Sequence, residues 1–161
     1  IGMNTGGFAK ALARFEASIE HKYKRALVGF AVHVNERLLA RTPVWEGTTL
    51  RNWQWSLRSP KKSVLLAEGQ GIPPGPTNQM ALGSEQRRGV NEEAQRADFA
   101  IFLSELMAQP KVPNIFLTNP APNAMAVEYG QVPSPERSRT PAGGVARMAV
   151  YEALAVMSRP A

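Results

Sequence analysis

Between residues 7 and 41 the apolar positions return every three or four residues, at Phe8, Leu12, Phe15, Ile19, Tyr23, Ala26, Leu27, Phe30, Val34 and Leu38. That spacing is one stripe of an α-helix. Lys10, Arg14, Lys22, Lys24, Arg25 and Arg37 mostly fall away from it. No proline interrupts the run, and Thr5 is placed to cap its start. At ~1.5 Å per residue the segment predicts a rod of roughly 50 Å. Most globular helices run ~8–20 residues, so a rod this long predicts contact with neighbouring subunits as well as with its own sheet. Gly29 marks a position for a kink, because glycine costs ~1 kcal/mol there against alanine. Pro43 disfavours helical geometry just before it, so the helix is expected to stop at Arg41 or Thr42.

The period then changes. Residues 44–49 read as a loop pivoting on Gly47. From Leu50 to Leu57 the positions Leu50, Asn52, Gln54 and Ser56 alternate with Arg51, Trp53, Trp55 and Leu57. The second set is apolar apart from Arg51, which predicts a half-buried strand. Residues 61–67 offer a hairpin partner across the turn Arg58-Ser-Pro60. Residues 68–79 hold Gly69, Gly71, Pro73, Pro74, Gly75 and Pro76, a composition that permits only a loop.

A helical pattern returns at Val90, Ala94, Ala97, Ile101 and Met107 and predicts an inserted helical segment over 84–108, capped by Ser84 or Asn91 and stopped by Pro110. Val112 to Thr118 reads as a further strand. Residues 119–129 form a turn and a short element, and 131–144 a second Pro-rich loop. The last segment, 145–158, reads as a helix, although the alternation over 145–151 also admits a strand. The whole predicts one α+β domain over 1–161. A long N-terminal helix packs on a small, mostly antiparallel sheet, with a mid-chain helix and a C-terminal helix.

Composition narrows the function classes. The chain of 161 residues is long enough for a core that folds alone. It has no cysteine, which excludes disulfides, thiolate nucleophiles and Cys-based metal sites. No run of about 18 apolar residues is present, so no membrane span is expected. Ile1-Gly-Met-Asn4 lacks the basic and apolar regions of a signal peptide. The net charge of +6 favours polyanions through counterion release, or describes a basic solvated surface.

The inventory of reactive groups argues against an enzyme. Asp98 is the only aspartate. His21 and His33 lie twelve residues apart in one helical pattern and point about 120° apart, so that helix cannot bring them to one metal. There is no Gly-x-Ser-x-Gly elbow, P-loop or HExxH motif. Gly69-Gln-Gly71 is too short to cradle phosphate, and the adjacent Glu92 and Glu93 diverge on a helix. No catalytic residue, metal or cofactor is therefore expected. Among the tryptophans, Trp53 and Trp55 share a strand face, and core packing is the favoured reading over base stacking beside Arg51 and Arg58. Trp45 sits in a loop and suits an interface anchor.

Two stretches read as joints. The first runs Thr42-Pro43-Val44, Glu46-Gly47, Leu50-Arg51 and Trp53. The second has Asn119, Pro120, Ala124 and then Val127-Glu128-Tyr129-Gly130. Pro141-Ala142-Gly143 with Val145 to Arg147 closes the series. In content and order this resembles a family of tailed-phage neck and tail-completion proteins that includes the lambda minor tail protein Z. Two departures stand out: Trp45-Glu46 replaces the usual aspartate, and the segment 68–108 is longer than the simple pattern.

The resemblance implies a structural virion protein, a small α+β subunit acting by ring assembly at the head–tail junction. Its implied partners are further copies of itself and other neck, connector or tail proteins. Its implied location is the virion, with the host cytoplasm during assembly. A ring around a DNA channel would use basic loops for non-specific contact, with Arg87, Arg88, Arg137 and Arg139 as candidates. The competing class is a basic nucleic-acid-binding module, which would use Arg51 or Arg58.

Overall fold

The computed structural model describes residues 5–44, 47–68, 84–129 and 144–158. The Pro-rich loops over 68–79 and 131–144 lie outside the described residues, apart from Glu68 and Gly144. So do Trp45, Gly130, Arg137 and Arg139. The elements, in chain order, are α1 (Thr5–Arg41), α2 (Thr48–Arg51), β1 (Gln54–Leu57), α3 (Ser84–Ala108), β2 (Ile115–Thr118), α4 (Ala124–Glu128) and α5 (Val145–Met157). The fold is the expected α+β arrangement: a long N-terminal helix, a small antiparallel sheet, and helices in mid-chain and at the C-terminal end.

α1 is continuous through Gly29 for 37 residues. It stops where Pro43 requires it to. The Thr42 amide donates to Leu38 O at 3.0 Å, and the Thr42 hydroxyl donates to the same carbonyl at 2.6 Å. These bonds satisfy a carbonyl that the helix end would otherwise leave open.

The strand is shorter than the alternation implied. Gly47 adopts φ 95, which only glycine takes without strain, and turns the chain into the helical turn α2. Leu50 is thereby driven into the interior. Asn52 ends α2, its amide group donating to Thr48 O at 2.7 Å. Only then does β1 begin.

The strand partner also differs. β1 pairs antiparallel with β2, with Trp55 opposite Leu117, rather than with residues 61–67. The 61–67 segment is held instead by side chains. Asn52 donates to Leu65 O at 2.8 Å and accepts from the Leu65 amide at 2.7 Å, while Gln54 donates to Ser63 O at 3.0 Å. Side-chain amides thus supply what a backbone ladder would have supplied. β1 is accordingly buried on both faces, and Asn52, Gln54 and Ser56 lie inside together with the tryptophans.

Three smaller expectations are corrected. Asn91 does not cap α3. It lies mid-helix and buried, accepting from the Glu68 amide at 2.9 Å and donating to Arg87 O at 2.8 Å. β2 starts at Ile115 rather than Val112, because the Val112 amide donates to the Glu20 carboxylate at 2.7 Å instead of to a strand. The final segment is helical from Val145, so the strand alternative for 145–151 falls away.

The core joins the C-terminal half of α1 to α5, α3 and β1. It contains Val34, Leu38, Trp53, Trp55, Phe99, Phe102, Leu106, Val145 and Ala149. Trp55 sits 5.5 Å from both Phe99 and Phe102, ring centroid to centroid, in tilted contacts that favour aromatic edges over flat stacking.

Candidate functional site

The motif residues converge on two joints. The first locks α1, β1 and α3 together through a buried polar network. Asn35 and Gln95 are 0% and 1% exposed. They form a reciprocal amide pair, with Asn35 Nδ2 donating to Gln95 Oε1 at 3.1 Å and Gln95 Nε2 donating to Asn35 Oδ1 at 2.8 Å. Gln95 Nε2 also donates to Trp53 O at 2.9 Å, and the Trp55 indole donates to Asn35 Oδ1 at 2.9 Å. The Trp53 indole donates to the Thr42 hydroxyl at 2.8 Å. Both tryptophans, at 7% exposure, are core residues with satisfied N–H groups, and neither offers a face to a base. Sequence reasoning missed Asn35 and Gln95. Each reads as a polar residue on a helix, and only the crossing of α1, α3 and β1 makes them face one another.

Around this joint, Gly47 lies against Asn91. A Cβ at Gly47 would stand 2.8 Å from Asn91 Cγ. Pro43 and Val44 are half-buried in the connection. Arg88 donates to Leu39 O at 2.9 Å and to Thr42 O at 2.8 Å. It places its positive charge at the negative end of α1, where a cation is favoured. Arg87 is half-buried and also has a bonding partner. Arg51 pairs with Asp98 at 2.6 Å, and Arg58 donates to Gln109 Oε1 at 2.6 Å.

The second joint carries the Glu-Tyr-Gly motif. Asn119 donates to Thr49 O at 2.8 Å, tying this stretch to α2. Asn119 Oδ1 accepts from the Ala121 amide at 3.1 Å, a local turn that leads into α4. α4 delivers Glu128 to the N-terminus of α5. The Glu128 carboxylate accepts from the Ala146 amide at 2.7 Å and the Arg147 amide at 3.2 Å. Gly144 supplies no side chain to cap α5, so a glutamate from another element does so. An anion is favoured there by the open N–H groups and the helix dipole. The approach is close: a Cβ on Gly144, at φ 89, would lie 2.6 Å from Glu128 O. Arg147 folds back to bond the carboxylate at 3.0 Å and stands 5.1 Å over the exposed Tyr129 ring.

No group of three or more potential metal ligands occurs among the described residues. His21 is exposed and His33 half-buried, on separate faces of α1. No described helix is long and apolar enough to cross a membrane.

What remains open is apolar surface. Phe8, Leu12, Phe15, Ile19 and Tyr23 are between 45% and 72% exposed. Every residue from Gly7 to Ile19 is exposed. Farther along α1, the Glu20 carboxylate accepts from the Val112 amide and the Lys24 ammonium donates to Gln109 O. A second exposed apolar group lies on α5, at Tyr151, Leu154, Val156 and Met157.

No family model matches this chain, and no curated protein or solved structure shows significant similarity to it.

Proposed function

We propose that this chain is a structural virion protein of a tailed phage, a neck or tail-completion subunit that works by assembling into a ring at the head–tail junction. The observation that carries the reading is the ordered motif series, several described members of which join one element to another. Thr42 and Trp53 tie α1 to β1, Asn119 ties the second stretch to α2, and Glu128 caps α5. The long helix with its uncovered apolar stripe suits a part that is finished by its neighbours, since exposed apolar patches of this kind mark interaction surfaces.

The competing reading, a basic nucleic-acid-binding module, draws on the net charge of +6. It loses support at Trp53 and Trp55, which are interior, and at Arg51, which pairs with Asp98, while Arg58 is exposed and bonds only the neutral Gln109.

Light scattering at low and high protein concentration, with and without short duplex DNA, separates the two. The ring reading expects discrete self-association and a mass indifferent to DNA, with closed rings visible by electron microscopy. A persistent monomer that binds duplex DNA tightly, with a steep loss of affinity as salt rises, would overturn it.

A further inference from the structure

The outward stripe of α1 is not a continuation of the subunit's own core. At ~100° per residue, Phe8, Leu12, Phe15, Ile19 and Tyr23 centre on a direction roughly 130° from the buried residues of the same helix, Lys24, Ala31, Val34, Asn35, Leu38 and Leu39. The divergence is visible within one turn. Glu20 and Lys24 reach the body at Val112 and Gln109, while Ile19 and Tyr23 beside them are more than half exposed. The stripe therefore lies off the face by which α1 packs on the other described elements.

Its spacing says what kind of cover. Phe8, Leu12, Phe15 and Ile19 follow steps of four, three and four residues, the seam that packs against another helix. Ala9, Ala11 and Ser18 flank it and let a second helix approach closely.

α5 is the helix on the same chain that matches. From Met148 to Met157 its one charged side chain is Glu152, and that residue faces inward to Arg37 and Arg41 of α1. A helix apolar nearly all round belongs in an interior, yet the outer side of α5 is exposed, with Tyr151 at 67%. The lengths agree: Phe8 to Tyr23 spans about 22 Å and α5 about 20 Å. The areas agree as well. Scaling from ~150–250 Å² for a fully buried aromatic, the stripe offers on the order of 500 Å² and the outer face of α5 on the order of 400 Å². Either is a large patch for a monomer, and with a polar rim it approaches the ~800 Å² per partner of a stable interface.

We infer that the outward stripe of α1 docks on the outer face of α5 of a second copy, head to tail. Leu12, Phe15 and Ile19 supply the seam, and Tyr151, Leu154 and Met157 receive it. A contact between two different surfaces of identical chains propagates from copy to copy and forms a ring where the rotation closes, as a contact between two like surfaces does not. The inference rests on the ring reading above and names the junction that would build it.

Two paired variants test it, Phe15→Glu with Ile19→Glu, and Tyr151→Glu with Leu154→Glu. All four residues are more than half exposed, so the fold remains, which circular dichroism checks. The wild-type chain is expected to self-associate, and each paired variant alone to fall to the 17.6 kDa of one chain. An equimolar mixture of the two variants should recover a dimer and nothing larger, because it contains one intact junction. If the α5 variant still self-associates while the stripe variant does not, the stripe pairs with itself and the head-to-tail contact is wrong. If both variants keep the wild-type mass, this junction is wrong and the ring reading stands. A wild-type chain that is monomeric at every concentration overturns this junction, and the ring reading falls with it only if that monomer also binds duplex DNA tightly.

Discussion

Replacing Glu128 by alanine removes the cap of α5 without touching the hydrophobic core. The carboxylate accepts two backbone N–H groups of the first turn, at 2.7 and 3.2 Å. Loss of a capping side chain costs about 1 kcal/mol, within a range of ~0.5–2. Loss of a negative charge at a helix N-terminus adds ~0.3–1 kcal/mol. The ion pair with Arg147 adds little, because the Arg147 side chain is 52% exposed and such pairs contribute under ~1 kcal/mol. Glu128→Ala is therefore expected to destabilise the fold by about 2 kcal/mol. Glu128→Gln keeps an acceptor oxygen and loses the charge, and should cost about half as much. Urea unfolding followed by circular dichroism reads both, and a fall in Tm of ~4–8 °C should accompany the alanine variant in a domain of this size. An alanine variant within about 0.5 kcal/mol of the wild type would falsify the assignment of Glu128 as the cap that holds α5 on the body.

Other perturbations probe the first joint. Asn35→Leu leaves the Trp55 indole N–H and Gln95 Oε1 without partners in the interior, while Gln95 Nε2 keeps only Trp53 O, so a loss of about 3–5 kcal/mol is expected in urea unfolding. A double variant with Gln95→Met should cost less than the sum of the two single changes, and strict additivity would show that the amides do not act as a pair. Gly47→Ala combines a left-handed φ with a clash against the buried Asn91, and is expected to cost about 3 kcal/mol or more. An unchanged unfolding midpoint there would contradict the tight turn between α1 and α2. Asp98→Asn removes the charge partner of Arg51 at a half-exposed carboxylate and should cost under ~1 kcal/mol, a difference that shrinks further as salt is added.

The sequence by itself determined the elements that repeat in one dimension. α1 and α3 were legible because each carries a long helical period and is ended by a proline, Pro43 and Pro110, whose effect is local. The burial of Trp53 and Trp55 followed from their shared face, and the pivot at Gly47 from the residue type. The joint character of the Asn119 and Glu-Tyr-Gly stretches was visible in their turn residues, though not which atoms they would meet.

Tertiary structure decided the rest, because it depends on which surfaces meet across long separations. The pairing of β1 with β2 spans some sixty residues, and nothing near residues 61–67 signals that Asn52 and Gln54 would occupy their backbone groups in place of a ladder. Asn35 and Gln95 become a core pair only when α1 crosses α3 beside the tryptophans. Glu128 becomes a cap only when α4 brings it to α5. The apolar stripe of α1 shows the same division. The three- and four-residue recurrence runs on from Phe8 to Leu38, and only the packed structure separates the N-terminal part that stays exposed from the part that the core buries.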